Sequence, residues 1–144
     1  KNCGYAGISS KSCKGIYKSI LNGARCRRWN EAGNAFNYFM TGEDLTTQAG
    51  ISVQQDRALV NLLGIQHVER NGHHYVNGMA ALSESEQAAF LHAHSGLYEK
   101  SHGAVRLKIL NGKIDLRSLD CAGFATNAKP EFKSMQVLNF QSFD

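Results

Sequence analysis

Long apolar runs are missing from this chain. None approaches the ~18–20 residues that a membrane span requires, so a membrane partner is not expected. The opening residues, Lys1-Asn2-Cys3-Gly4-Tyr5, are not followed by the apolar core of a signal peptide. There is no initiator Met, and the chain enters a strand almost at once, so a fragment of a longer protein is expected. The four cysteines, Cys3, Cys13, Cys26 and Cys121, form no CxxC and no tight cluster, which argues against zinc and redox motifs. Free thiols in a reducing cytoplasm are the expectation. Charged residues are also scarce, at 19%. The net charge of +4 comes with two basic groups, Lys11, Lys14 and Lys18, and Arg25, Arg27 and Arg28. The arginines fall in the last turn of a predicted helix, where cations suit the helix dipole. No aromatic residues interleave with these groups as a base-stacking platform needs, so no nucleic-acid partner is expected.

The chain does contain a recurring layout of strand, charged tip and helix. Ala6 to Ser10 reads as a short strand ending at Lys11, and Gly15 opens a helix from about Ile16 to Trp29. Ile16, Ile20 and Ala24, with Tyr17 and Leu21 beside them, follow a helical period and form its predicted buried face. Tyr38-Phe39-Met40 is a second strand that leads into Glu43 and Asp44. Ser52 is the predicted N-cap of a helix from Val53 to Leu63, with Val53, Leu59, Leu62 and Leu63 buried and Gly64 as its stop. Asp56 and Arg57 read as its solvated face. Ile65 to Val68 is a third strand, ending at Glu69. The pattern is β-α-β-α-β with crossovers long enough for parallel strands.

The second half reads differently. Ser83 and Glu86 form a capping box for a helix to about His94, with Phe90 and Leu91 on its face. Val105 to Ile109 alternates as a strand, Asn111-Gly112 is a hairpin signal, and Lys113 to Leu116 is the predicted return strand. The tail from Ser118 to Asp144 reads as irregular, apart from a short helix near Pro130 to Met135.

Ser9-Ser10-Lys11-Ser12-Cys13-Lys14-Gly15, Met40-Thr41-Gly42-Glu43 and His67-Val68-Glu69 resemble the ends of the last three β/α units of the enolase superfamily barrel, in its mandelate racemase and muconate lactonizing enzyme branch. Asn111-Gly112-Lys113-Ile114 and Ala122-Gly123-Phe124 resemble the closing hairpin and return segment of that family, with Ala122 where a proline is usual. The resemblance implies an α/β fold: the sixth to eighth β/α units of a TIM-type (β/α)8 barrel over residues 1–77. Residues 78–144 would supply a C-terminal helix, a β-hairpin and a tail packed on a capping domain.

It also implies roles. Lys11 would be the general acid/base that removes or returns a proton α to a carboxylate, with Lys14 as the neighbouring cation that lowers its pKa. Glu43 stands where the racemase branch has a histidine, and would bind a substrate hydroxyl or pair with Lys11. Asp44 takes that place if the register shifts by one. Glu69 would hydrogen-bond the developing enolate oxygen. Asn71, His73 and His74 lie in a loop at the barrel mouth and would contact substrate. The bland alternatives are solvated turn lysines for Lys11 and Lys14, an Arg70 ion pair for Glu69, and an exposed loop for His73 and His74. His92, His94 and His102 read as surface, and Trp29 as helix-end packing.

The charged strand tips support the site on their own, because barrel enzymes place reacting groups at the C-terminal ends of strands. The family's Mg²⁺ is held by carboxylates on strands this chain does not contain, so no metal ligands are expected here. The implied function is the C-terminal part of a Mg²⁺-dependent lyase or racemase acting on a small carboxylate or acid sugar. Its partners would be the missing N-terminal portion and further copies in a homo-oligomer. The rival reading is a small free-standing α/β binding domain without catalysis. Dehydration, racemisation and cycloisomerisation share the first proton abstraction, so the residues do not choose among them.

Overall fold

A computed structural model describes residues 4–11, 13, 15–33, 37–43, 49–69, 75–125 and 127–135. Three parallel strands form one sheet in the order β1 (Gly7–Ser10), β2 (Phe39–Glu43), β3 (Val68–Glu69). The crossovers carry helices α1 (Ile16–Glu31) and α2 (Ile51–Leu62). Register is set by Ser10 opposite Gly42 and by Glu43 opposite Glu69. The architecture is a small mixed α/β fold, and β1 and β3 each have one side unpaired among the described residues.

Both helices lie on the same face of the sheet. Ser10 Oγ donates to Ser19 Oγ at 2.8 Å, which pins β1 to α1. Gly23 brings α1 close: a Cβ there would stand 3.2 Å from Leu63 Cδ2 and 3.5 Å from Met40 Sδ. A Cβ on Gly42 would meet Val60 of α2 at 3.3 Å. The opposite face carries Gly7, Ser9, Phe39, Thr41 and Glu43 by the two-residue alternation of strands. Phe39 lies there over Gly7 and remains 54% exposed.

The predicted buried face of α1 is wrong. Ile16, Tyr17, Ile20, Ala24 and Leu21 are exposed, and Ser19 and Cys26 are the buried residues. The small side chains of Ser19, Gly23 and Cys26 recur at helical spacing and let the helix backbone approach the strands. Close approach outweighs apolarity in choosing the face.

Helix α2 also departs from expectation. Gly50 is its N-cap, and Ser52 lies inside the helix. Val53 and Leu59 are buried as expected and Gly64 ends the helix at φ 66°, but Leu62 is exposed and Leu63 only half-buried. Asp56 and Arg57, expected to be solvated, are buried, with Arg57 Nη1 3.9 Å from Asp56 Oδ2. Gln54 is buried too, and its amide has no hydrogen-bond partner among the described residues. The cause is tertiary: α4 (Ala122–Ala125) and the turn Arg117–Leu119 also pack on α2. A helix held between two layers buries nearly every face.

In the second half, α3 (Glu84–Ala93) starts as the capping motif predicts. Ser83 Oγ accepts from the Glu86 backbone N–H at 3.2 Å. Phe90 is fully buried and Leu91 half-buried. The hairpin is a different one from that expected. β5 (Ala104–Leu107) pairs antiparallel with β4 (Tyr98–Ser101) through His102-Gly103, whose φ angles are 51° and 77°. Asn111-Gly112 does turn, at φ 51° and 72°, but it joins only a single Leu110–Lys113 bridge. Both turns have the left-handed pair that tight hairpins need. Burial decides between them: Tyr98 and Val105 enter the core, whereas Ile109 and Leu110 remain exposed.

That core gathers Met79, Phe90, Leu97, Tyr98, Val105, Leu119, Ala125 and Ala128, with Ile51 and Ala58 of α2 packed against it. Tyr98 Oη also accepts from the Gly50 N–H at 3.3 Å. The second half therefore shares α2 with the sheet. The tail forms a short 3₁₀ turn at Phe132–Ser134, within the predicted helical stretch.

Candidate active site at the strand ends

Parallel strands in register deliver their last residues side by side. Ser10 opposite Gly42 places Lys11 next to Glu43, and Glu43 is itself opposite Glu69. The candidate residues Lys11, Glu43 and Glu69 thus form one row across the C-terminal ends of β1, β2 and β3. Lys11 Nζ stands 3.6 Å from Glu43 Oε1, and the two side chains are only 15% and 19% exposed. The other oxygen, Glu43 Oε2, accepts from Ser9 Oγ at 3.1 Å. Of the two roles open to Glu43, pairing with Lys11 is the one this geometry displays.

The row holds one cation and two carboxylates. Adjacent carboxylates repel, and a lysine beside one of them offsets that repulsion. A partly shielded pair of this kind contributes at most about 1 kcal/mol to stability. Chemically, the row offers an amine that can carry a proton, a carboxylate that anchors it, and a second carboxylate, Glu69, that is exposed toward solvent.

Ser9 was not among the predicted site residues. The signal for it was the alternation itself: a hydroxyl two residues before Lys11 lies on the same face of the strand. His67, two residues before Glu69, is likewise exposed on the row below, level with Thr41 and Ser9. An open cavity of about 610 Å³ is lined by Phe39, Met40, Thr41, Gly64, Gln66 and His67. It lies toward the beginnings of the strands and does not include Lys11.

The further candidates Lys14, Asp44, Asn71, His73 and His74 lie outside the described residues, as does Arg70. Among the described residues no group of three or more His, Cys, Asp or Glu side chains could hold a metal ion. Glu43 and Glu69 are the adjacent pair of carboxylates, and Glu43 is already engaged by Lys11 and Ser9. The donor set among the described residues therefore does not fit Mg²⁺.

Of the histidines read as surface, His92 and His102 are exposed, but His94 is completely buried. The Asn127 backbone N–H donates to its Nε2 at 3.4 Å, which leaves Nδ1 as the N–H toward Ser118 Oγ at 3.2 Å. Its ring meets Tyr98 edge-on, with centroids 6.4 Å apart. Burial lowers its pKa from the usual 6.5, against a smaller upward effect of hydrogen bonding to the Ser118 backbone. These contacts make His94 a tie between α3 and the tail, far along the chain from the charged row. Trp29 packs on Tyr38 at 5.0 Å between ring centroids, as helix-end packing.

No helix among the described residues is long and apolar enough to cross a membrane. Compared with known proteins, the chain matches no family model, no curated protein and no solved structure.

Proposed function

We propose that this chain contributes three strand ends to a site that moves a proton α to a carboxylate, in a lyase or racemase of small carboxylates or acid sugars. The observation that supports this reading is the row Lys11, Glu43, Glu69 at the C-terminal ends of three adjacent parallel strands. In its neutral form Lys11 Nζ accepts the α proton, and the C–H electron pair moves into the carboxylate to give an enediolate. As an ammonium, Lys11 returns the proton or passes it to a leaving group. Glu43 holds the amine in place, and Glu69, when protonated, donates to the developing oxyanion. The site for a small carboxylate substrate would be completed by further strands pairing with β1 and β3 at the sides left unpaired among the described residues, and those strands would bring the carboxylates for Mg²⁺.

The test is reconstitution. The chain is mixed with a complementary portion of an enolase-superfamily barrel and Mg²⁺ in deuterated water, over a panel of acid sugars. The expected outcome is deuterium at the α-carbon with wild-type Lys11 and none with Lys11→Met. Absence of exchange with wild-type Lys11 overturns the proposal.

A second reading, a free-standing α/β binding domain without catalysis, is favoured by one observation. The core of the second half is built partly on α2, so the two halves share packing. That reading calls for a cooperative monomer from these residues alone, which sedimentation and urea unfolding measure directly.

A further inference from the structure

We propose that Ser9 is a positioning residue that fixes the Glu43 carboxylate as the counter-ion of Lys11. The chemistry of the row rests on the function proposed above; the role of Ser9 rests on geometry alone. Ser9 is opposite Thr41 in the β1–β2 register, and Glu43 lies two residues further along β2 on the same face. From there Ser9 Oγ reaches Glu43 Oε2 at 3.1 Å.

The Lys11 contact to Glu43 is a loose one. At 3.6 Å, Nζ to Oε1 is longer than a strong charge-assisted hydrogen bond, about 2.7–2.9 Å. The last torsion of a glutamate is broad and weakly restricted, so each attachment narrows it. The hydroxyl supplies a point of attachment at Oε2 and so restricts the carboxylate plane. Oε2 is then committed to Ser9, and Oε1 is the oxygen presented to Lys11. Ser9 therefore acts through Glu43 on the position of Lys11, without touching substrate itself.

The experiment is a ¹³C NMR pH titration of the Glu43 side-chain carboxyl in the full 144-residue chain. The signal is assigned by its loss in Glu43→Gln. Ser9→Ala and Ser9→Val remove a donor to the charged carboxylate and are expected to raise its midpoint by about half to one pH unit. Ser9→Thr keeps the hydroxyl, has the shape of valine, and is expected to restore the wild-type midpoint. Ser10→Ala removes a hydroxyl from the covered face of the same strand and is expected to leave the midpoint unchanged. Coincident midpoints in wild type, Ser9→Ala and Ser9→Val overturn the proposal, as does an equal shift in Ser9→Thr and Ser9→Val. The titration needs no catalysis. A wild-type chain that supports no deuterium exchange sinks the functional reading and leaves the Ser9 result standing.

Discussion

Protonating His94 places a charge where the chain has removed water. Its Nε2 accepts from the Asn127 N–H, so an added proton there sets donor against donor. The folded pKa is lowered from 6.5, which means the unfolded chain binds the proton more readily than the folded one. The stability linked to His94 is therefore complete above pH 6.5 and is lost as pH falls from there toward the lowered folded value. The expected outcome is a urea midpoint that drops between pH 7.5 and pH 5 in the wild type and drops less in His94→Gln. Equal slopes in both would show that the tie to Asn127 carries no pH dependence. Nothing in the pattern around His94 marks it as buried: its polar neighbours come from Ser118 and Asn127, remote in sequence. Lys11, Glu43 and Glu69 were legible as a set because strand register turns a sequence pattern into a spatial row. Ser9 was legible in principle by the same alternation, but a lone serine in a strand carries no signal until its partner on the next strand is known.

At the scale of elements, the alternating strands and helices of the first half followed directly from chain order, and their contacts did not. Which face of α1 is buried depended on small residues that allow close approach, and apolar periodicity pointed the other way. Leu21→Gln is accordingly expected to change stability by less than about 0.5 kcal/mol, as an exposed substitution does. A loss above about 2 kcal/mol in urea unfolding would put Leu21 back in a core. Gly78 is the opposite case. It has φ 54°, and a Cβ there would stand 2.4 Å from the Val105 carbonyl oxygen. The next residue, Met79, donates its N–H to that same oxygen at 2.9 Å, so the backbone cannot retreat without losing the bond. Gly78→Ala is expected to cost at least about 1–2 kcal/mol, read as a lower urea midpoint at unchanged slope. The choice of hairpin was illegible for a related reason: His102-Gly103 and Asn111-Gly112 both turn, and only burial of the flanking residues separates them.

For the whole molecule, α2 is the shared member. Val60 packs under Gly42 of the sheet, while Ile51 and Ala58 pack against the core of the second half. Asp56 and Arg57 are buried because of this double duty, and a helix read in isolation gives no hint of it. Phe90→Ala should leave a cavity in the second-half core and cost about 3–5 kcal/mol. The only tryptophan, Trp29, reports from the first half, on Tyr38. Its fluorescence midpoint is expected to fall by the same amount as the far-UV circular dichroism midpoint. A Trp29 transition unmoved by Phe90→Ala would mean that the halves unfold separately.

Among the described residues, one side of β1 and one side of β3 have no strand partner, and where those sides are open there is a consequence for growth. If β1 of one molecule pairs with β3 of another, the contact is head-to-tail, and the new molecule still offers a free β1. Addition regenerates its own acceptor, so such an assembly has no natural end. It would elongate as a polymer, with a lag that preformed seeds abolish, until a capping strand occupied one of the two sides.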